Sequence, residues 1–258
     1  DRRDVFRFAP GCSAVRIIVR GKNMQKRRVV VTGTGVISCV GNTVKDFWSS
    51  LVSGKCGIGR ITRFDTSGFK TAIAGEVKDF DADAHFSVKE ARRLDLFCQY
   101  AAAATDEALE SAGLPRDLRQ AENLDLARVG VLVSSGIGGL GTLAEQFKVL
   151  FEKGPDRISP LLIPMMIGNI ASGNISIRTG AGGPNYGIVT ACSSATKAFG
   201  AARRLIAAGI CDAVVTGGVD GRCRFAMNGF QALGALSAGR CRPLAPDRDG
   251  INLGEGAA

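Results

Sequence analysis

The chain has 258 residues, 45% of them hydrophobic and 22% charged, an ordinary composition for a soluble globular protein large enough to bury a substantial core. No apolar run approaches the roughly 18 residues of a membrane-spanning helix. The formal charge of +9 is concentrated at the start, where residues 1–28 hold nine basic and two acidic side chains. The remainder is nearly neutral and has no basic stripe with interleaved aromatics, which argues against nucleic-acid binding. Met24 followed by QKRRVVVTGTGVIS reads as a beginning, so residues 1–23 are expected to be a non-native or disordered basic extension. Eight cysteines include no C-x-x-C pair, and one histidine cannot complete a Cys/His zinc site. Most of these thiols sit among Val, Ala and Leu, consistent with a reducing, cytoplasmic setting.

Taken in order, Val-rich strands, Gly-rich turns and Ala-rich helices alternate, which predicts an α/β fold in one domain. RVVVT (28–32) reads as a buried strand, KDFWSSLVS (45–53) as a short amphipathic helix, and AIAGEV (72–77) as a strand in a loop-rich stretch. One long helix is expected over 89–112, ended by Gly113 and Pro115. RVGVLVS (128–134) is the next strand, followed by SGIGGLG and a helix over 140–151. A Pro-punctuated loop and a helix within 163–180 lead to a strand at 186–190, a helix at 193–208 and a strand at 212–216. A helix at 225–233 and a strand beginning within 250–258 complete the pattern.

Cys192 falls at the junction of the 186–190 strand and the following helix. The helix N-terminus carries a partial positive charge that favours thiolate over thiol, and a sharp strand-to-helix turn aims a side chain outward. A backbone amide there suits one oxyanion donor. The residues alone leave a second reading open, a buried structural cysteine at a crowded turn. Gly136, Gly138 and Gly141 fit G-x-G-x-x-G after a strand, but the ribose-binding acid expected at the end of the next strand is missing, so close packing competes with dinucleotide binding. His85 lies in an acidic loop and reads as solvated. Lys89, Arg92 and Arg93 cluster at a helix start, either as a solvated face or as a dock for an acidic partner.

The motifs RRVVVTGTGVIS, FDTSGF, SGIGGLG, ISPLLIPMMIGN, TACSSA and CRPLAPDRDGINLGEGAA occur in this order from 24 to 258. Together they make the chain resemble the elongating β-ketoacyl-acyl-carrier-protein synthases, the type II enzymes in particular. The resemblance implies a thiolase-like fold of stacked αβαβα layers with a mixed sheet, of which 24–258 would be the N-terminal half. It implies a condensing enzyme of fatty-acid synthesis in which Cys192 takes an acyl group from acyl carrier protein, for decarboxylative condensation with malonyl-carrier protein. Ile137 matches a position lining the acyl pocket, and Phe230 falls in the family's glycine-and-phenylalanine segment. Lys89, Arg92 and Arg93 match a carrier-docking surface. Arg157 matches part of a second basic pair in which Asp156 replaces the neighbour, and Gly234 stands where arginine is usual. No metal or resident cofactor is implied, because phosphopantetheine arrives on the carrier. A homodimer is implied, with 163–190 contributing. The family's two catalytic histidines, its lysine and its gating phenylalanine loop have no counterpart here, so this chain is expected to be incomplete and at most slowly acylated. The alternatives are a non-catalytic partner subunit and, more remotely, a nucleotide-dependent oxidoreductase.

Overall fold

β4 (Val129–Ser134) is buried at all six positions, and its alternation sorts the core into two layers. Val129, Val131 and Val133 join a cluster with Phe97, Tyr100, Ala101 and Ala104 of α3 (Leu96–Ser111) and Ala171 and Ile175 of α6 (Ile170–Thr179). Leu132 points the other way, against Ala198 and Ala201 of α7 (Ser194–Ala207). β5 (Ala213–Asp220) pairs with β4 in parallel, from Val129 opposite Ala213 to Ser134 opposite Gly218. Its Ala213 and Val215 pack toward the first layer and Val214 toward α7. A parallel strand covered by helices on both faces needs this run of small and branched apolar residues.

The computed structural model describes residues 27–258, so the extension expected over 1–23 lies outside the described residues. β1 (Ile37–Ser38) and β6 (Gly256–Ala257) complete the sheet in the order β1-β6-β5-β4, with β6 antiparallel to both neighbours. The sheet is therefore mixed. β2 (Ile58–Arg60) and β3 (Ile73–Gly75) form a separate antiparallel pair. The remaining helices are α1 (Val44–Val52), α2 (Val88–Ala91), α4 (Leu140–Lys153), α5 (Leu162–Met166) and α8 (Arg224–Ala232).

Three expectations are corrected. The strand anticipated at 28–32 does not form: the stretch has no ladder partner among the described residues, and Val30 and Val31 are 61% and 74% exposed. It instead borders a cavity of about 820 Å³ whose lining also includes Ala213 to Thr216 of β5. Gly33 and Gly35 bring the backbone so close to α3 that a Cβ at either would overlap the Ala108 or Ala104 carbonyl.

The single helix anticipated over 89–112 is two. Ser87 and Glu90 form a reciprocal capping box on α2, and Asp95 starts α3 by accepting from the Phe97 amide. Gln99 Nε2 donates to the Ala91 and Leu94 carbonyls and seals the break.

The strand anticipated at 186–190 is replaced by isolated contacts along β4. The Val131 amide donates to the Pro184 carbonyl, but the Val133 amide donates to Ser172 Oγ, and the Ile188 amide donates to Ser134 Oγ. Serine side chains take the places of backbone partners, which strand periodicity does not register.

Candidate active site

The segment Thr190-Ala191-Cys192-Ser193 turns sharply into α7. Ala191 has φ +53°, a left-handed conformation that carries a cost of roughly 1 kcal/mol for a residue with a Cβ. The turn is held by hydroxyls. Ser194 Oγ accepts from the Thr190 amide at 2.9 Å and donates to the Ala191 carbonyl at 2.6 Å, while Ser193 Oγ donates to the Thr190 carbonyl at 2.9 Å. Ser194 is 3% exposed, so its two bonds are shielded from water. The result is an exposed Cys192 at the crest of an imposed bend. Ser193, the N-cap residue of α7, makes no side-chain bond to the first turn, so the positive end of the helix is not neutralised by a cap. Of the two readings that the residues left open, the structure therefore has the exposed thiol.

Beneath the elbow, Gly218 of β5 meets Ala195 of α7. Beside it runs the 135–139 loop. Gly138 and Gly139 press against the 165–168 backbone, where a Cβ on either would collide with the Met166 or Met165 carbonyl. Gly138 also has φ +62°. Of the three motif glycines, Gly138 is filled by protein backbone, while Gly136 and Gly141 meet their neighbours at an ordinary 3.4 Å, so backbone packing accounts for the middle glycine of G-x-G-x-x-G. Ile137, between Gly136 and Gly138, is 45% exposed.

Phe230 lies on α8 and packs against a separate cluster of Ile61, Ala74, Met227 and Leu236. Lys89 on α2, with Arg92 and Arg93 just after it, is exposed, and none of the three forms an ion pair with a described residue. Arg93 borders a cavity of about 690 Å³ together with Arg116, Arg119 and Arg178. Arg157 is exposed at the end of a 3-10 turn, Pro155–Arg157. His85 is not a solvated loop histidine. Its ring stacks on Phe80, and Nδ1 lies 3.3 Å from Asp106 Oδ2, an atom that also holds Arg178 at 2.8 Å. The buried carboxylate draws in the ring, and the acidic loop sequence around His85 gives no hint of it.

The sequence reading missed Asp220 and Ser135. Asp220 Oδ1 accepts from the Ser135 hydroxyl at 2.7 Å and from the Gly136 amide at 2.9 Å. Asp220 ends β5 and Ser135 directly follows its parallel neighbour β4, and carboxyl ends of such strands are where polar groups of a site gather. That adjacency arises from strand pairing, and no local signal in the sequence carries it. Among the described residues there is no cluster of three or more metal-ligating side chains, and no helix is long and apolar enough to cross a membrane.

Comparison with known proteins points one way. The family model described as "Beta-ketoacyl synthase, N-terminal domain" matches residues 26–258. The "3-oxoacyl-[acyl-carrier-protein] synthase 2" of Synechocystis is 44% identical over 242 residues, covering 91% of this chain and 57% of the relative. The protein of the same name from Vibrio cholerae is 45% identical over 241 residues, with the same coverage of 91% and 57%. Among solved structures, the ishigamide ketosynthase/chain length factor superposes with a TM-score of 0.80 at 31% identity, over 90% of this chain and 57% of that one. The ketosynthase AntDE, solved with its type II PKS acyl-carrier protein AntF, gives 0.77 at 27% identity, again over 90% and 57%. The chain thus spans little more than half the length of these relatives. The layered mixed sheet, the cysteine elbow and a family match running from 26 to 258 agree: this chain belongs to the β-ketoacyl synthase family, of which it carries the N-terminal domain.

Proposed function

We propose that the chain is the acyl-accepting part of a condensing enzyme of fatty-acid synthesis, with Cys192 as the nucleophile. The observation that carries this reading is the exposed thiol on a strained turn at an uncapped helix start. Cys192 loses its proton to solvent, and its thiolate attacks the thioester carbon of an acyl group carried on phosphopantetheine. The tetrahedral intermediate collapses, the carbon–sulfur bond to the carrier breaks, and the expelled thiolate takes up a proton. The acyl group is left as a thioester on Cys192. Covalent capture divides one difficult condensation into two easier steps.

In the second step of this reading, malonyl-carrier protein loses carbon dioxide and the resulting carbanion attacks the Cys192 thioester. A carbon–carbon bond forms and Cys192 leaves as thiolate. That step needs groups to bind and polarise the malonyl thioester. His85, the one histidine of the sequence, is engaged by Asp106, so we assign this chain acyl transfer without condensation.

The partner is acyl carrier protein, an acidic protein docking on Lys89, Arg92, Arg93 and Arg157. The exposure of these four side chains supports that assignment, as does the AntF complex of a relative. Ile137 and Phe230 are assigned to the acyl pocket, and the matching family positions support this. The reading includes a cytoplasmic homodimer with 163–190 at its interface, and no resident cofactor, nucleic acid or membrane. Cys192 itself argues against a non-catalytic subunit.

The test is incubation with acyl-carrier protein followed by intact mass. A stoichiometric acyl adduct that disappears in Cys192→Ala is expected. An adduct of equal extent in the variant removes Cys192 from the reaction.

A further inference from the structure

We propose that Asp220 is a positioning residue: its carboxylate fixes the turn formed by Ser135, Gly136, Ile137 and Gly138 against the back of the Cys192 elbow. The inference deepens the acyl-transfer reading and rests on it for the claim that the space beside Ile137 is acyl space.

The bonds form a directed relay. Asp220 Oδ1 accepts the Ser135 hydroxyl proton at 2.7 Å and the Gly136 amide at 2.9 Å. Having given its proton to the carboxylate, Ser135 Oγ presents its lone pairs to the loop. It accepts from the Gly138 amide at 2.8 Å and, more weakly, from the Ile137 amide at 3.4 Å. Three successive amides are thus oriented, Gly136 by the carboxylate directly and Ile137 and Gly138 through the hydroxyl. Ser135 is 1% exposed, so water does not compete for the relay.

Asp220 forms no ion pair with any described residue, which leaves this turn as its polar engagement. The turn needs it. Gly136, Gly138 and Gly139 have little intrinsic conformational preference, and Gly138 sits at φ +62°. The far end of the loop is pinned where the Gly139 amide donates to the Met166 carbonyl at 3.0 Å. Asp220 pins the near end.

The elbow is in contact with the same groups. A Cβ built on Gly136 would lie 3.4 Å from Asp220 Oδ2 and 3.4 Å from the Ala191 carbonyl oxygen. Carboxylate, loop and elbow therefore meet at Gly136, and a shift of the loop alters the space beside Ile137 and the packing behind the elbow.

The experiment uses the 258-residue chain and the variants Asp220→Ala, Asp220→Asn and Ser135→Ala. Two readouts are taken: amide hydrogen exchange at 136–138 compared with β4, and alkylation of Cys192 by N-alkyl iodoacetamides of two and twelve carbons. In Asp220→Ala, exchange at 136–138 should rise at least about tenfold, the scale of losing a hydrogen bond to a charged group. β4 amides should stay unchanged, and the rate ratio between long and short reagents should move toward one. Asn keeps an acceptor oxygen and should recover most of both. Ser135→Ala should free Ile137 and Gly138 but leave Gly136 protected, which keeps the proposal testable if Asp220→Ala fails to fold. Unchanged exchange, loss of β4 protection in parallel with the loop, or failure of Asn to rescue each overturns it. Alkylation by iodoacetamides does not depend on carrier protein, so failure of the acyl-transfer reading leaves this test standing and is told apart from it.

Discussion

Gly218 on β5 and Ala195 on α7 face each other so closely that a Cβ on Gly218 would overlap the Ala195 Cβ. β5 carries branched side chains at Val214 and Val215 and changes to glycine at Gly217 and Gly218, where α7 begins. The absent side chain lets the first turn of α7 settle on the sheet, and this sets the height of Cys192 three residues earlier. Gly218→Ala is expected to lift that turn and to destabilise the fold by about 1–3 kcal/mol, the usual range for overpacking. Urea denaturation measures the stability. Iodoacetamide labelling of Cys192 should also change in rate, since the elbow moves with the helix. Full stability and an unchanged labelling rate in the variant show that the contact does not set the elbow.

The local signals in the sequence were read well because local chemistry decides them. β4 follows from an unbroken apolar run, and the motif around Cys192 placed the thiol at the junction just before α7, where it lies. All but one of the misses have nonlocal causes. The 28–32 stretch has strand composition, but a strand also needs a partner, and none is supplied among the described residues. The 186–190 stretch runs along β4, yet Ser134 and Ser172 take over its pairing. The break between α2 and α3 depends on Asp95 capping a new helix, a local signal that the apolar periodicity on either side concealed. Asp220 was illegible for a different reason: its role exists once β4 and β5 lie side by side and bring Ser135 to it, 85 residues away in the chain.

Asp106 offers a contrast between buried and exposed charge. It lies in α3 at 1% exposure and faces Arg178 at 2.8 Å, His85 at 3.3 Å and Arg116 at 3.7 Å. Arg178 comes from α6, so the pair ties α3 to α6. Asp106→Ala leaves a partly buried guanidinium without its anion, and a loss of about 3–5 kcal/mol is expected. Asp247→Ala, which removes an exposed partner of Arg242, should change stability by less than about 1 kcal/mol. Chemical denaturation of both variants gives the comparison, and equal losses contradict the role assigned to the buried cluster.

Glu76 predicts how stability depends on pH. Burial by itself raises its pKa, but the amide and hydroxyl of Thr62 and the guanidinium of Arg222 outweigh that and hold it below the usual 4.5. Arg222 is 8% exposed and pairs with Glu76 across 146 positions of sequence. A carboxylate with a depressed folded pKa adds stability that is fully present above its unfolded pKa and is lost as pH falls through the folded value. Glu76 should therefore add nothing to the pH dependence above about pH 5, and its contribution should fade below about pH 4.5. The unfolding midpoint of Glu76→Gln, set against that of the parent from pH 7 to 3, should show a gap that narrows on acidification. A gap that widens reverses the sign and removes the ion pair as its source.

The thiols supply the last prediction. Seven cysteines fall among the described residues and all are free, so labelling distinguishes them by environment alone. Burial pushes the Cys98 thiol up to about 12, and burial also raises Cys211, while Cys192 and Cys56 are exposed. Alkylation proceeds through the thiolate. At pH 8 about one Cys98 in 10⁴ is a thiolate, and moving to pH 9 raises that to about one in 10³. Iodoacetamide at pH 8 is therefore expected to modify Cys192 and Cys56 first and to reach Cys98 and Cys211 after denaturation, as read by peptide mass mapping. Acylation of Cys192 beforehand should protect that site and leave Cys56 reactive, which separates specific capture at the elbow from general thiol chemistry. If native Cys98 labels as fast as Cys192, the packing of α3 against β4 described here is wrong.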